Sequence, residues 1–344
     1  LAWLEQDKAF ASETSQGVWA LPNGENYYNY RLAQMTTLEF TADEIHEIGL
    51  SEVKRLHLAM ERIKTAVDFK GSLQDFFVFM REDDRFYFPN TDEGRQDYLD
   101  LNNAYLDAIT LKLPDYFGRL PKAQLEVRRV EYFREQTGAA QHYASGTPDG
   151  SRPGVFYSHM SDMSTLPIFQ LEDVAYHEGS PGHHMQISIQ QELTGVPRFR
   201  TQYRTTAYTE GWGLYAEWLA KEMGAFEDPY SDFGRLSGEL WRAIRLVVDT
   251  GIHAQQWSEE RAAQYFIDNS AQAEGTIRSE IQRYITWPGQ ATAYKIGMMK
   301  FQELRLNAES ALGNNFDIRT FHDVVLGVGA LPMPLLESRV DRWV

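Results

Sequence analysis

The densest concentration of chemically capable side chains lies between His177 and Gln186, HEGSPGHHMQ. A His-Glu pair is followed by His183 and His184, so three of the nine histidines fall within eight positions. A catalytic zinc ion takes about three protein donors, drawn from these residue types, and keeps one position open. In the HExxH pattern two histidines one helical turn apart hold the ion, and the glutamate after the first is the general base toward water. Here the second histidine position holds Pro181. Proline removes the hydrogen bond to the carbonyl of His177 and biases Ser180 away from helical angles, so the helix must bend or stop. In an unbroken helix His184 would return to the face of His177 two turns along, about 10 Å away, too far for shared coordination. A bulge over GSPG, with helix resuming at Gly182, swings His183 or His184 back. Helical geometry does not choose between them.

A third donor is needed from elsewhere. The segment YTEGWGLYAEWL, residues 208–219, places Glu210 beside Gly211 and Gly213, small residues that permit close helix–helix approach. A glutamate there can reach a metal. Glu217 lies seven residues on and therefore on the same face, while Trp212, Tyr215 and Leu219 are candidate core residues.

The composition narrows the alternatives. With no cysteine the chain has no disulfides, thiolate nucleophiles or Cys-based metal sites, so any metal rests on His and carboxylates. A formal charge of −16, from 49 acidic and 33 basic residues, disfavours nucleic acid and anionic lipid as partners. No apolar run suggests a membrane span. Neither a phosphate-cradling glycine loop nor a GxSxG elbow is present. The chain starts at Leu1, inside what reads as a helix, LAWLEQDKAFA, which points to a C-terminal, larger part of a longer protein.

Most of the elements that must position these residues read as helices, and the fold class is mainly α. Thr41 and Glu44 form a capping box ahead of an amphipathic surface helix running to about residue 70. Further helices are predicted over 72–82, 91–113, 167–180, 182–194, 206–224, 228–256, 258–270, 273–286, 290–311, 317–326 and 334–343, most of them separated by proline or glycine. Strand signals cluster at 125–131, 141–145 and 155–159, which predicts a small antiparallel sheet immediately before the His-Glu helix. The expected organisation is one catalytic domain over 1–344, with a helical part at 1–120 and the sheet and site helices at 121–344.

HEGSPGHHMQ, TEGWGLYAE, VDTGIHAQQW, RYITWPGQATAYKIG and RPGVFYS together resemble the bacterial domain-of-unknown-function family number 885, grouped with the gluzincin zinc metallopeptidases. The resemblance runs through the whole chain. It implies a helical, gluzincin-like fold, a Zn2+ cofactor and a peptide substrate. Gluzincins commonly write glycine before their second histidine, which makes His183 the second ligand after a two-residue insertion, with His184 as the alternative. His177 and Glu210 complete the set, and Glu178 is the general base. Asp173, one turn before His177, is the candidate to orient the imidazole. Tyr294 and His253 are candidates for stabilising the oxyanion.

For substrate, Arg283, Lys295 and Arg278 are candidates to hold a carboxylate. Strand 155–159 is a candidate edge for an extended peptide, with Tyr157 and His159 on one side of it. Many relatives carry export signals, which implies a periplasmic or cell-envelope location. Rival readings are a metal-dependent amidase acting on a non-peptide substrate and an inactive helical binding protein of the envelope. The sequence sets no oligomeric state.

Overall fold

The structure, a computed structural model, describes residues 1–8, 14–136 and 139–344. Helix starts follow side-chain capping. Thr41 accepts from the Glu44 N–H while the Glu44 carboxylate accepts from Thr41 N–H, and Ser72 does the same with Asp75. The first half of the chain forms α1 (Ala2–Lys8), α2 (Gly24–Thr36), α3 (Ala42–Ala66), α4 (Leu73–Glu82), α5 (Asp92–Thr110) and α6 (Leu113–Tyr116). Three strands follow: β1 (Leu125–Arg129), β2 (His142–Ala144) and β3 (Gly154–Ser158). The remainder is helical: α7 (Ile168–Glu178), α8 (His183–Gln191), α9 (Thr206–Glu222), α10 (Pro229–His253), α11 (Glu259–Asn269), α12 (Glu274–Thr286), α13 (Ala293–Leu312), α14 (Ile318–Leu326) and α15 (Met333–Trp343).

Besides the single turn α6, one helix, α2, is absent from the sequence expectation. Its segment GENYYNYRLAQMT is rich in Tyr and Asn, residues of middling helix propensity, and has no clean apolar stripe. Tertiary packing supplies what local pattern lacks, because Tyr28 and Leu32 are fully buried against Ile45, Leu246 and Ile296.

The core has two large parts. In one, α3 and α4 pack with α10, α11 and α12 through Leu56, Met60, Phe76, Phe233 and Ile244. In the other, α9 packs on α13, α14 and α15 around Trp212, Tyr215, Phe301 and Phe321. Contact between α9 and α13 is backbone-close at Gly211 and Gly297, where a Cβ on Gly211 would lie 2.5 Å from Gly297 Cα. The long, buried α10 carries packing surfaces for both α3 and α7.

The sheet is mixed, in the order β1-β3-β2, rather than antiparallel. β1 runs parallel to β3 with Val127 opposite Phe156, and β2 runs antiparallel with Tyr143 opposite Phe156. The turn between β2 and β3 closes a hairpin, in which Arg152 N–H donates to Thr147 Oγ1 and Ser151 N–H to Asp149 Oδ1. β1 is left to pair with the far side of β3, and the residues between them, β2 included, are long enough for the crossover a parallel pair requires. β3 is consequently the central strand, not the edge expected from the sequence, and β2 is an outer strand.

Candidate metal site and catalytic cleft

α7 stops where the sequence says it must. The Gly179 N–H closes its last turn on Ala175 O, the Ser180–Pro181 peptide is cis, and α8 opens at His183. Trp212 of α9 pins the loop, its Nε1–H donating to Pro181 O at 2.9 Å, and the His184 N–H donates to Gly179 O at 3.1 Å. The outcome is that His177, in the last turn of one helix, faces His183, the first residue of the next. Their ring centroids are 4.6 Å apart at 79°.

Glu210 of α9 completes the group. Its Oε2 lies 3.6 Å from His177 Nε2 and 3.4 Å from His183 Nε2. Donors on a tetrahedral zinc at about 2.0–2.1 Å are separated by roughly 3.4 Å, so these spacings suit one shared ion. Among the described residues, His177, His183 and Glu210 are the group whose ligand atoms, all within 4.8 Å of one another, can hold a metal.

The outer ring nitrogen of His177 is engaged as a zinc-bound histidine requires: Nδ1 lies 2.5 Å from Glu217 Oε1, which directs Nε2 toward Glu210. Asp173, the partner expected from the sequence, does not make this contact. It lies behind Glu217. Burial, reinforced by the Glu217 charge, raises the Asp173 carboxyl well above its usual range, while Glu217, against its own burial, is lowered by its hydrogen bond to His177. Gly213 makes the close approach possible, since a Cβ there would lie 2.6 Å from His177 Cε1. His183 Nδ1 is buried without a hydrogen-bond partner.

His184 points elsewhere. Its Nδ1 is 3.1 Å from the Tyr143 hydroxyl, under the sheet, and burial lowers its pKa to about 4. The structure therefore brings His183, and not His184, to His177 and Glu210.

Electrostatics favour a cation here. Burial works against ionising Glu210, yet His183 and His177 hold it well below the normal carboxylate range. Burial likewise works against charging His177, but hydrogen bonds to Glu210 and Glu217 raise it to about 10. Glu178, 8% exposed, is raised by burial and faces the same space.

That space is a 490 Å³ cavity lined by His177, His183, Glu210, Glu178, Tyr294 and His142, among others. The Gln290 amide donates to the Tyr294 hydroxyl at 3.3 Å, and the Glu210 charge helps burial to raise the phenol. Tyr294 is thus within the field of the ligand group.

Other candidates fall outside. Val18 N–H donates to His253 Nδ1 at 3.1 Å, which leaves Nε2–H to donate to Tyr284 O at 3.0 Å. His253 is a tie between three chain segments, with both nitrogens used. Lys295 is buried between Glu239 at 2.6 Å and Glu52 at 2.8 Å. Arg283 pairs with Glu280, and Arg278 with Glu260 and Glu274. Tyr157 stacks on His142 at 5.4 Å with Arg134 over its ring, and it is not among the cavity-lining residues. His159 accepts from the Gln136 N–H. The arginines that line the cavity are Arg204, Arg242 and Arg245, and none of them was singled out in the sequence. For Arg242 and Arg245 the available signal was their spacing of three on one helix, near one face with Gly238.

Residues 1–340 match the family described as "Bacterial protein of unknown function (DUF885)". The chain belongs to this family. A solved structure of a "putative lipoprotein" from Colwellia psychrerythraea is 40% identical, with a TM-score of 0.95 over 98% of this chain and 58% of its own length. A second solved structure, a "putative lipoprotein of unknown function" from Shewanella oneidensis, shares the fold at 18% identity, with a TM-score of 0.77 over 98% of this chain and 62% of that one. The chain thus spans about three fifths of the length of these solved relatives. No curated protein matches it. Among the described residues no helix is long and apolar enough to cross a membrane.

Proposed function

We propose that the protein is a zinc-dependent peptide hydrolase of gluzincin type, working at the cell envelope. The observation that carries this reading is the convergence of His177 Nε2, His183 Nε2 and Glu210 Oε2 at zinc-ligand spacing, with Glu178 at the same cavity. Zinc held by these three would supply Lewis acidity, making water acidic near neutral pH and polarising a carbonyl.

The protein's own groups supply the rest. The Glu178 carboxylate takes the proton of the attacking water and returns it to the leaving amine. Its burial favours the protonated form, so it holds that proton between the two transfers. Tyr294 Oη donates to the oxygen on which negative charge develops. The glutamate at position 217 keeps the His177 ring from rotating.

A peptide is favoured over other amides by the outer strand β2, whose residues His142 and Tyr143 line the cavity. An extended chain can add to such an edge through backbone hydrogen bonds. The envelope location is supported by the two solved relatives, each described as a "putative lipoprotein".

The test is Glu178→Gln. The variant is expected to keep its zinc and to lose hydrolysis of a mixed peptide library by at least about 10²-fold. Turnover at the wild-type rate would remove Glu178 from the mechanism.

A further inference from the structure

On the cavity wall built by α10 and α12, two guanidiniums share one carboxylate. Arg245 donates from Nη2 to Glu280 Oε2 at 2.9 Å and from Nε to the Tyr284 hydroxyl at 2.8 Å. Arg283 takes the same Glu280 through Nε and Nη2, each at 2.9 Å. Guanidinium groups stay charged, so this trio carries one net positive charge. Asp249, whose field reaches Arg283, is itself engaged by the Tyr28 hydroxyl at 2.6 Å and the Gly289 N–H at 3.0 Å. The Arg245 side chain is only 8% exposed, and a buried charge without a full counterion is costly.

The same wall is short of hydrogen-bond acceptors. Arg245 Nη1, Arg242 Nε and Gln272 Nε2 are closed to water and have no partner, and all three residues line the cavity that contains the metal-ligand group. Aromatic faces cover part of the deficit, with the Arg245 guanidinium 4.6 Å from the Tyr294 ring centre and 5.2 Å from that of Trp241. A ring face is a weaker partner for guanidinium than a carboxylate is. To meet a ligand in the cleft these nitrogens, closed off as they stand, require the arginine to turn about its terminal torsions. Position along α10 sets the reach. Gly238 lies against Asp173, and Arg245 follows seven residues later, about 10 Å along the helix. A few residues of extended chain, at about 3.3 Å each, cover such a span.

We propose that this wall, with Arg245 and Arg242 as its cations, binds a substrate carboxylate a few residues from the reacting amide, which makes short peptides with a free C-terminus the preferred class. The inference rests on the hydrolase reading above. It replaces Lys295 and Arg278, whose charges are already paired, and Arg283, which does not line the cavity.

The experiment compares three versions of one hexapeptide: free acid, C-terminal amide, and amide with aspartate next to the last residue. Binding to the Glu178→Gln protein is measured by calorimetry, and cleavage is measured with the wild type. The free acid is expected to bind about 10- to 100-fold more tightly than the neutral amide, and Arg245→Gln to abolish the difference. If the aspartyl amide binds as tightly as the free acid, the wall takes a carboxylate but the preference for a free C-terminus is overturned. Equal binding of all three, or binding of none, overturns the proposal. The acid–amide contrast in protein with native Arg245 decides the matter even if Arg245→Gln fails to fold. Cleavage of all three with equal binding would remove the carboxylate wall and leave the hydrolase. Discrimination in binding with no cleavage of any would do the reverse.

Discussion

Gly213→Ala sets helix propensity against site geometry. Alanine is favoured over glycine in a helix interior by about 1 kcal/mol, so α9 alone should gain from the change. The new methyl, however, would lie 2.6 Å from His177 Cε1 and 2.9 Å from both ring nitrogens. Ordinary contact begins near 3.4 Å, so the ring or the helix must give by about 0.8 Å. The ring cannot swing aside freely, because its Nδ1 is held at 2.5 Å by Glu217, one turn further along the same helix. Displacement of His177 Nε2 from Glu210 is the remaining outlet. Disturbing the shell that orients a zinc-binding imidazole typically costs 10–100-fold in metal affinity. Gly213→Ala is therefore expected to fold, with unchanged circular dichroism, and to bind zinc at least about 10-fold more weakly in competition with a chromophoric chelator. Unchanged zinc affinity in a folded variant would refute the claim that α9 presses directly on the ligand ring.

The reassignment of His253 has its own test: His253→Ala leaves the Val18 N–H without a partner and Tyr284 O with only the N–H that Trp287 shares between it and Arg283 O, which should cost on the order of 2 kcal/mol of stability in urea unfolding while zinc content stays at the wild-type level. Acid stability should depend on Glu239. Burial opposes its ionisation, but Lys295 and Arg55 lower it from 4.5 to about 2. A depressed carboxyl stabilises the fold fully above its unfolded pKa, and that contribution, roughly 3 kcal/mol, disappears as pH falls from about 4.5 to about 2. Glu239→Gln should accordingly flatten the loss of stability between pH 5 and pH 2.5, and an identical slope in the two proteins would count against the buried ion-pair network.

Much of the fold was legible because its signals are local. The capping box at Thr41, and proline at 181 and 229, mark helix ends without help from tertiary structure. α2 was not legible, because the one of its tyrosines that is buried, Tyr28, is held by a partner more than two hundred residues away, Asp249. Strand positions were visible, but their pairing depended on which side of β3 the turn at Thr147–Ser151 leaves open.

At the site, the break at Pro181 was readable and its consequence was not. Which histidine swings back depends on Trp212 holding Pro181 O and on Tyr143 taking His184, both contacts between distant segments. Glu217 was visible as sharing a face with Glu210, and only packing assigns it to His177. The charged candidates failed for a common reason. Arg283, Lys295 and Arg278 are turned to acidic partners and do not line the cavity, Arg283 to Glu280 and Arg278 to Glu274 at helical spacings already present in the sequence and Lys295 to Glu239 of another helix, whereas Arg242 and Arg245 line it with nitrogens left over.

The central claim is that His177, His183 and Glu210 form one zinc site from which His184 is absent. Elemental analysis of purified wild type, His183→Ala and His184→Ala after zinc loading and dialysis tests it directly. Near-stoichiometric zinc in the wild type and in His184→Ala, with zinc lost from folded His183→Ala, is the predicted result. Zinc retained in His183→Ala and lost in His184→Ala, or no zinc in the wild type, would contradict it.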